Sequence, residues 1–407
     1  MASAGQFWLG LEPVFDAAER VRPLSVDDVA YITFTSGTTG LPKGVQVTHR
    51  GLTDWARDTV ARLRLDSSDA VLHTYATGFD AHLMGLVPPR VAGATIVVCP
   101  PDVIAADELA EFVDAERVSV LLTTPSVLAT LRPDELPGVR HVAVGGEPLG
   151  AGLVREWTAG HTLSNEYGPT EATVAVSSAR YTGAPSGPVH IGAPLVGVGM
   201  YVLDGALRPV PDHTVGELYL SGNCLARGYL DDPVTTAGAF VPDPFSTDPL
   251  LAGGRMYRTG DVVRWRESRS GGLTLEYSGR SDDQVKLRGL RIELGEIEAA
   301  LRSAPEVRSA VVVGVGSSGT PSSVASSLAA YVVGDGVEVD ALRGLLAAQL
   351  PGHMVPASIT VLDEFPLTPV GKVFKPELRR QEVRRAALRR DPARRRPARH
   401  GPAGAPP

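Results

Sequence analysis

Residues 31–44 of the chain read YITFTSGTTGLPKG, an apolar run that passes into a loop of hydroxyl side chains and glycines next to one lysine. The apolar run is typical of a buried strand, and VQVTHR at residues 45–50 predicts a second short strand after the loop. The loop is not a Walker A loop, because Pro42 precedes Lys43 where that motif has glycine. Its hydroxyls, its backbone N–H groups and the ammonium of Lys43 would suit a polyphosphate, although an ordinary turn can have the same composition.

The segments around this loop predict the fold class. Strand-like and helix-like stretches alternate over residues 28–134, an order typical of an α/β layer built on a mixed or parallel sheet. Short strands between Pro- and Gly-rich turns follow over about 187–280 and predict a β-rich subdomain. Residues 294–348 then predict helix, strand, strand and helix, which indicates a small α+β domain.

Composition limits the classes of protein to consider. The chain has 407 residues, of which 43% are hydrophobic and 21% are charged, values of an ordinary globular protein. No apolar run reaches the roughly 18 residues of a membrane span, and no secretory signal pattern opens the sequence. The two cysteines, Cys99 and Cys224, have no metal-ligand spacing and are expected to be buried thiols. We therefore expect a cytoplasmic protein that does not bind membranes.

The cations are distributed unevenly. Ten of the 35 arginines lie in residues 379–399, a run that could contact nucleic acid. Because this run lacks interleaved aromatic residues, we expect instead a solvated helix end that continues into a disordered tail, with no nucleic-acid partner. The chain has only four lysines, and Lys43, Lys286 and Lys372 lie in glycine-rich motifs. An ammonium kept in such an arginine-rich chain indicates chemistry at these three positions.

Further motifs follow the loop along the chain. They are GFDAH at 78–82, NEYGPTEATV at 165–174, GELYLSGNCLARGYL at 216–230, YRTGD at 257–261, GRSDDQVKLRGLRIELGEIE at 279–298, LPGHMVP at 350–356 and VGKVFK at 370–375. Together with the loop, these motifs resemble the adenylate-forming superfamily, which comprises acyl-CoA synthetases, luciferases and the adenylation domains of nonribosomal peptide synthetases. The resemblance covers roughly residues 24–378. FDA together with QVKLRGLRIELGEIE points to the amino-acid-activating branch.

The resemblance implies a reaction of two steps in one site. A carboxylate attacks the α-phosphorus of ATP to give an acyl-adenylate and pyrophosphate, and the phosphopantetheine thiol of a peptidyl carrier protein then takes the acyl group. Both steps need stabilisation of oxyanion charge rather than a protein nucleophile. The implied catalytic residues are Lys372 at the substrate carboxylate, Thr170 at the α-phosphate and Glu171 as the ligand of Mg²⁺.

The resemblance also implies a set of ATP-binding residues. The loop would hold the β- and γ-phosphates, Gly146, Glu147 and Tyr167 would frame the adenine, and Asp261 would accept the ribose hydroxyls, with Arg280 near the ribose and phosphates. The complete implied set is Thr35, Ser36, Gly37, Thr38, Thr39, Gly40, Lys43, Gly146, Glu147, Asn165, Tyr167, Asp261 and Arg280.

Asp80 is the residue that indicates the class of substrate. In the amino-acid branch this aspartate pairs with the α-ammonium, a partly buried charge that needs a partner. The other implied pocket residues are Ala81, Met84, Leu122, Val142, Val144, Glu166, Val174 and Ala175. This wall suits a hydrophobic or aromatic side chain. Glu166 would then accept from a phenol or another donor, or would be an exposed acid at the rim.

The implied domain organisation has an atypical segment 1–23, a large domain 24–281, a small mobile domain 282–378 and an Arg-rich disordered tail 379–407. Family members rotate the small domain about a hinge that corresponds to Asp282, although a simple linker aspartate is the alternative. Only about 30 residues precede the loop, which is short for the family and predicts a domain truncated at its N-terminal end.

Three interpretations remain open. The first is an amino-acid adenylation enzyme, which Asp80 favours. The second is an acyl- or aryl-CoA ligase, which VGKVFK at residues 370–375 favours because the amino-acid branch has NGK-x-DR there. The third is a non-catalytic remnant that binds nucleotide or a partner protein, which only the short N-terminal segment favours.

Overall fold

The computed structural model describes residues 22–36, 42–103, 105–185, 187–246, 254–268, 272–281, 284–287, 289–316, 324–367 and 373–390. Some of the predicted site residues lie outside these ranges. They are Gly37, Thr38, Thr39, Gly40, Asp282 and Lys372.

The opening motif forms an antiparallel hairpin. Strand β1 (Val29–Thr35) pairs with β2 (Lys43–Thr48), and the register places Thr35 opposite Lys43 at the base of the loop. Val45 and Val47 of β2 are fully buried, which explains why this alternating segment is a strand. The hairpin therefore anchors both ends of the predicted phosphate loop.

A mixed sheet of seven strands forms the centre of the large domain, as the sequence predicts for an α/β fold. Its strands are β3 (Ala70–His73), β4 (Thr95–Val98), β5 (Val120–Thr123), β6 (His141–Gly145), β7 (Thr162–Tyr167), β8 (Ser177–Tyr181) and β9 (Ala193–Pro194). The order is β4-β3-β5-β6-β7-β8-β9; the strands from β4 to β7 are parallel, and β8 and β9 are antiparallel. The carboxyl ends of the parallel strands therefore meet at one edge, where ligands bind in open α/β sheets.

Helices cover both faces of this sheet. The α-helices are α1 (His49–Leu63), α2 (Val87–Ala92), α3 (Ala106–Ala115), α4 (Pro125–Leu128) and α5 (Ala151–Trp157), and the short 3₁₀ helices are Asp80–Gly85, Pro133–Glu135 and Thr170–Ala172. Trp55, Ala56 and Leu63 of α1 pack on one face, whereas α3, α4 and α5 pack on the other. Within the described ranges, no helix is long and apolar enough to cross a lipid bilayer.

The β-rich subdomain follows. Its strands are β10 (Val198–Leu203), β11 (Gly216–Gly222), β12 (Gly228–Tyr229), β13 (Phe240–Pro242), β14 (Arg255–Glu267) and β15 (Leu273–Arg280), with helix α6 (Pro233–Ala239) after β12. Five of these strands form an antiparallel sheet, and β12 pairs with β2 of the opening hairpin. The long strand β14 pairs with β15 so that Asp261 lies opposite Arg280.

The C-terminal part has its own hydrophobic core. Its elements are β16 (Val285–Leu287), β17 (Leu290–Ile292), α7 (Leu294–Arg302), β18 (Val307–Val315), β19 (Val324–Ala325), β20 (Ser327–Gly334), α8 (Val339–Gln349), a 3₁₀ helix (Gly352–Met354), β21 (Ser358–Val361) and α9 (Lys375–Arg390). Ile297, Leu301, Val312 and Leu346 lie at the centre of this core. The α+β prediction for this part is confirmed.

Helix α9 corrects the predicted start of the disordered tail at residue 379. The helix continues to Arg390, because Leu378 and Glu382 are buried against the sheet of β18, β20 and β21. The hydroxyl of Tyr331 donates to the carbonyl of Leu378 at 2.8 Å, and the hydroxyl of Ser358 donates to Glu382 Oε1 at 2.9 Å. These contacts tie the first half of the Arg-rich run to the core.

One buried histidine gives a prediction about acid stability. The ring of His141 lies in β6 with Nε2 2.7 Å from Ser164 Oγ, and burial together with nearby arginines lowers its pKa from 6.5 to about 3. Because the unfolded chain binds a proton that the folded chain excludes, stability falls as the pH drops below 6.5 toward 3. Between pH 6.5 and 5 this loss amounts to about 2 kcal/mol.

We expect the His141→Gln variant to lose less unfolding free energy than the parent over that interval, as measured by urea denaturation at pH 7, 6 and 5. His213 is exposed, so His213→Asn serves as the matched control and should follow the parent curve. Parallel curves for parent and His141→Gln would show that the ring does not exclude the proton.

Candidate active site

Lys43 is held at the base of the phosphate loop by two neighbours. Its Nζ lies 5.1 Å from the centre of the Tyr229 ring and 4.0 Å from Glu293 Oε1. The side chains of Lys43 and Glu293 are only 11% and 6% exposed, so this ion pair is shielded from water. The lysine that the sequence singles out is therefore in contact with both the β-rich subdomain and the C-terminal part.

Glu171, the predicted ligand of Mg²⁺, contacts the same tyrosine as this lysine. It sits with Thr170 in a short 3₁₀ helix, is fully buried, and its Oε1 accepts a 2.8 Å hydrogen bond from the hydroxyl of Tyr229. Among the described residues, no group of three or more His, Cys, Asp or Glu side chains could hold a metal ion. The Glu171 carboxylate is the type of oxygen ligand that Mg²⁺ takes, commonly together with phosphate oxygens and water.

The backbone after Glu171 is strained. Thr173 and Val174 have φ of 58° and 63°, a left-handed conformation that β-branched residues rarely adopt. Each such residue costs about 1–3 kcal/mol, and such strain concentrates at functional sites. The hydroxyl of Thr173 donates to the carbonyl of Cys224 at 2.6 Å, which helps to hold the turn. The strained turn carries Val174 and Ala175 into the same cluster as Met84 and Leu122.

A cavity of about 90 Å³ lies at the carboxyl ends of β6 and β7. Gly146, Glu147, Asn165 and Tyr167, all predicted to bind the nucleotide, line it together with Lys286. The Lys286 Nζ lies 5.6 Å from the centre of the Tyr167 ring. The structure therefore brings four predicted residues together around one cavity that has an aromatic wall and a cation.

Asp261 lies at the centre of a buried polar cluster. Its Oδ1 accepts from Arg280 Nη1 at 2.7 Å, its Oδ2 accepts from the Tyr167 hydroxyl at 2.5 Å, and both charged side chains are 4% exposed. Arg280 also donates to the carbonyl of Thr259 at 3.0 Å. Burial, and secondly the nearby Asp261 charge, raise the pKa of the Tyr167 hydroxyl, which therefore stays protonated as a donor. The cluster joins the predicted ribose residue to the cavity through Tyr167.

Asp80 begins a 3₁₀ helix, Asp80–Gly85, that follows the carboxyl end of β3. The helix also carries Ala81 and Met84, two of the predicted pocket residues. Tyr31 of β1 lies near this carboxylate. The pKa of its hydroxyl is raised, first by burial and second by the negative charge of Asp80. Asp80 is thus placed between the opening hairpin and the edge of the large sheet.

The predicted substrate wall is divided by the sheet. Met84, Leu122, Val174 and Ala175 belong to one buried cluster with Trp55 of α1. Val142 and Val144 belong instead to the cluster on the opposite face, against Leu128 and Trp157. The structure therefore corrects their assignment to the pocket, since alternate side chains of a strand face opposite sides. The residues of β6 on the Leu122 side are Ala143, which lies opposite Leu122, and Gly145.

Glu166 is not an exposed acid at the rim. Its side chain is 3% exposed, and its Oε1 accepts from Arg62 Nη1 at 2.6 Å and from the Ser178 hydroxyl at 3.0 Å. Arg62 Nε also donates to Asp58 at 2.9 Å within α1. The acid is thus part of a buried network beside the cluster that contains the predicted pocket residues.

The C-terminal part faces the candidate site with the turn between β16 and β17. A Cβ placed on Gly146, which has φ of 81°, would lie 3.3 Å from the Cα of Gly289 in this turn. A second contact joins the rings of Phe79 and His353, whose centres are 6.3 Å apart. The segment after Lys372 packs elsewhere: Val373 contacts the cluster of β18 and β20. The hairpin, with Lys286, therefore adjoins the cavity in this arrangement.

Three residues of the site have no role predicted from the sequence. Tyr229 and Glu293 lie in the quoted motifs 216–230 and 279–298, but no contact is predicted for them, and Arg62 lies outside every quoted motif. Each makes its contact with a residue distant along the chain. Lys286, which the sequence singles out as one of only four lysines in an arginine-rich chain, lines the cavity.

Comparison with protein families identifies the two parts of the chain. Residues 4–230 match the model of the AMP-binding enzyme family, and residues 296–372 match the model of the AMP-binding enzyme C-terminal domain. The first match covers more than half of the chain and includes the phosphate loop, Asp80, Glu171 and the cavity residues Gly146, Glu147, Asn165 and Tyr167.

Individual relatives agree with this match. Phosphinothricin tripeptide synthetase PhsC of Streptomyces viridochromogenes is 45% identical over 358 residues, which are 86% of this chain but only 31% of that protein. The adenylation domain AlmE of Vibrio cholerae, solved in complex with glycyl-adenosine-5′-phosphate, superposes with a TM-score of 0.77 at 28% identity, over 89% of this chain and 68% of AlmE. PA1221, a nonribosomal peptide synthetase protein with adenylation and carrier (PCP) domains, gives a TM-score of 0.75 at 28% identity, over 91% and 64%.

The fold of these neighbours is the mixed α/β architecture with a smaller C-terminal domain that the sequence predicts. The chain spans less than a third of the length of PhsC, so the activity of that whole synthetase is not carried over. The chain belongs to the AMP-binding enzyme family.

Proposed function

We propose that this chain activates an amino acid with ATP as an aminoacyl-adenylate, with release of pyrophosphate, and then transfers it to the phosphopantetheine thiol of a peptidyl carrier protein. One observation carries the proposal: the nucleotide cavity, the Asp261–Arg280 pair and Asp80 all lie around the carboxyl edge of one sheet. The glycyl-adenosine-5′-phosphate in AlmE and the carrier domain in PA1221 support it.

Each residue of the site would have a separate role in adenylation, the first step. The cavity beside Tyr167 would take the adenine, and the ribose hydroxyls would replace the Tyr167 hydroxyl at Asp261. Lys43 would neutralise the β- and γ-phosphates, with the loop hydroxyls around it. The α-ammonium of the substrate would pair with Asp80, so that its carboxylate faces the α-phosphate at Thr170.

Charge stabilisation completes this step. Glu171 would hold Mg²⁺, which supplies positive charge at the phosphate oxygens. Lys372, which lies outside the described residues, would bridge the carboxylate and the forming phosphoester. No protein nucleophile is needed, because the substrate carboxylate is the nucleophile.

The second step requires the carrier thiol to reach the adenylate. In the described arrangement the β16–β17 hairpin adjoins the cavity, whereas Val373 packs within the C-terminal core. This arrangement suits the transfer step, and rotation about Asp282 would bring Lys372 to the site for the first step. We further propose domain limits of 24–281 and 282–390, the second extended to include α9.

The contact between Lys43 and Glu293 should oppose ATP binding. The carboxylate and the ATP phosphates compete for one ammonium, so Glu293 lowers the fraction of molecules that are ready to bind ATP. We expect Glu293→Gln to lower the KM for ATP by roughly threefold and to slow transfer to the carrier thiol. Steady-state adenylation and carrier-loading assays measure the two effects.

The matched control for this variant is Glu364→Gln, which removes an exposed carboxylate from the same part of the chain. It should leave both parameters unchanged. An unchanged KM for ATP in Glu293→Gln would show that the carboxylate does not compete with the phosphates.

Trapping of the acyl-adenylate with hydroxylamine tests the proposed function. The protein is incubated with ATP, Mg²⁺ and single acids from a panel of proteinogenic amino acids, aryl acids and fatty acids, and hydroxamates are measured. Hydroxamate formation with an α-amino acid and not with its des-amino analogue is the expected result. Formation from aryl or fatty acids only would assign an acyl- or aryl-CoA ligase, and formation from none would assign a non-catalytic protein.

A further inference from the structure

The buried network of Arg62, Glu166 and Ser178 contains one polar atom for which the described residues provide no partner. Glu166 Oε2 is buried and has no hydrogen-bond partner in the part of the chain that the structure describes, although Oε1 of the same carboxylate accepts two hydrogen bonds. An unpaired buried acceptor costs about 1–3 kcal/mol, so it needs a reason in a native structure.

The position of this atom relates it to the substrate. Residue 166 lies opposite Gly145 in the parallel β6–β7 pair, on the face of the sheet that carries Ala143 and Leu122. The same face is covered by α1, which supplies Arg62, and by Met84, Val174 and Ala175 of the candidate pocket. The Glu166 side chain therefore lies on the pocket side of the sheet, and Glu166 also lines the cavity of Asn165 and Tyr167 at the end of β7.

Arg62 is shared between two carboxylates. Its Nη1 lies 2.6 Å from Glu166 Oε1 and its Nε lies 2.9 Å from Asp58 Oδ2. The Asp58 side chain is 13% exposed against 3% for Glu166, so water screens the charge of Asp58 more than that of Glu166. Tyr75 lies close to Glu166. The pKa of its hydroxyl is raised, first by burial and second by the Glu166 charge. This hydroxyl donates its hydrogen bond to the carbonyl of Thr123 at 2.7 Å and not to Glu166. Arg62 thus mainly offsets the charge of the more deeply buried Glu166, and Glu166 Oε2 offers the acceptor.

We propose that Arg62 is a specificity-determining residue, which offsets the charge of Glu166 so that the site selects an uncharged side chain with an O–H or N–H donor for Glu166 Oε2. The inference rests on the proposed amino-acid activation and names the class of its substrate. A lysine-like side chain gains no net charge pairing there, and a purely apolar one leaves Oε2 unpaired.

Amino-acid-dependent exchange of pyrophosphate into ATP, measured as kcat/KM, tests this inference. The substrates are pairs that differ in one donor, namely tyrosine with phenylalanine, threonine with valine and glutamine with methionine, together with ornithine, lysine and glutamate. In the parent, we expect a donor-bearing neutral acid to exceed its partner and both basic acids by about tenfold or more. A best substrate that lacks a donor, or that is charged, overturns the inference.

Four variants distinguish an effect of the Arg62 charge on substrate selectivity from the loss of a structural contact. Arg62→Met should raise the ratio of basic to neutral acids by about tenfold or more, because Glu166 then pairs with the substrate cation. Arg62→Met/Glu166→Gln should restore the parent ratio, and Arg57→Met, on the exposed side of α1, should not change it. Glu166→Gln should raise the ratio of glutamate to neutral acids, since Arg62 then lacks its buried counter-charge.

Equal losses for all acids in Arg62→Met would overturn the inference and leave a purely structural salt bridge. If Arg62→Met does not fold, the inference is tested with the Glu166→Gln variant alone. An unchanged ratio of glutamate to neutral acids in Glu166→Gln would then overturn the inference. A parent that exchanges with no amino acid overturns the proposed function as well, whereas a parent that exchanges without these ratios overturns the inference alone.

Discussion

Replacement of Asp80 by alanine is expected to lower kcat/KM for α-amino acids by about 100- to 1,000-fold, and to change kcat/KM for des-amino analogues much less. The reason is the α-ammonium, which would lose its carboxylate partner in a site that is shielded by the opening hairpin and by Tyr31. Leaving one such charge unpaired costs about 3–4 kcal/mol, which corresponds to that factor. A des-amino acid carries no charge that needs Asp80.

Pyrophosphate exchange with an amino acid and with its des-amino analogue, each at several concentrations, measures the effect. Asp102→Ala, which removes an exposed aspartate, is the matched control and should behave like the parent. Equal losses for both substrates in Asp80→Ala would contradict the pairing and would favour a ligase of simple carboxylic acids.

The second large effect concerns stability. Asp261→Ala should lower the free energy of unfolding by about 3–5 kcal/mol, because the buried Arg280 would lose the Asp261 carboxylate, with which it pairs at 2.7 Å. The same variant should lose most of its affinity for ATP, since Asp261 is the proposed ribose residue. Urea denaturation and calorimetric ATP titration measure the two losses.

The double variant Asp261→Leu/Arg280→Met separates these two effects. Replacing both charges by apolar groups is often neutral for stability, so the double variant should regain most of the unfolding free energy. It should remain defective in ATP binding, because the ribose hydroxyls still have no acceptor. Parent-like stability of Asp261→Ala would contradict the view that this buried pair depends on both partners.

Local pattern made much of the architecture predictable. The apolar run at residues 31–34 becomes β1 because β-branched and aromatic side chains suit a half-buried strand, and residues 294–302 form α7 because their apolar positions recur at helical spacing. The motif positions also predict four of the residues that line the cavity, Gly146, Glu147, Asn165 and Tyr167. These signals are local, so they do not depend on which distant segment packs against them.

The features that the sequence does not predict depend on contacts between segments that are distant along the chain. Val142 and Val144 were assigned to the pocket from motif alignment, but the face that a strand residue occupies depends on pairing and layer packing, which place both valines on the far side. Arg62 is 104 positions from Glu166 along the chain, so no local pattern could pair them. From the sequence, the Arg-rich run predicts a solvated helix end that continues into a disordered tail. The burial of Leu378 and Glu382 depends on β18, β20 and β21, so no local pattern could predict that it ties this helix to the core.

The most direct test of the account is amino-acid-dependent exchange of radioactive pyrophosphate into ATP by the purified chain. The exchange requires an acid that reacts reversibly at the α-phosphorus, so it reports the first step without a carrier protein. We predict exchange that depends on an α-amino acid with an uncharged side chain and that is lost in Asp80→Ala. ATP binding without exchange, over the whole panel of amino acids, would contradict the central claim that this site forms an aminoacyl-adenylate.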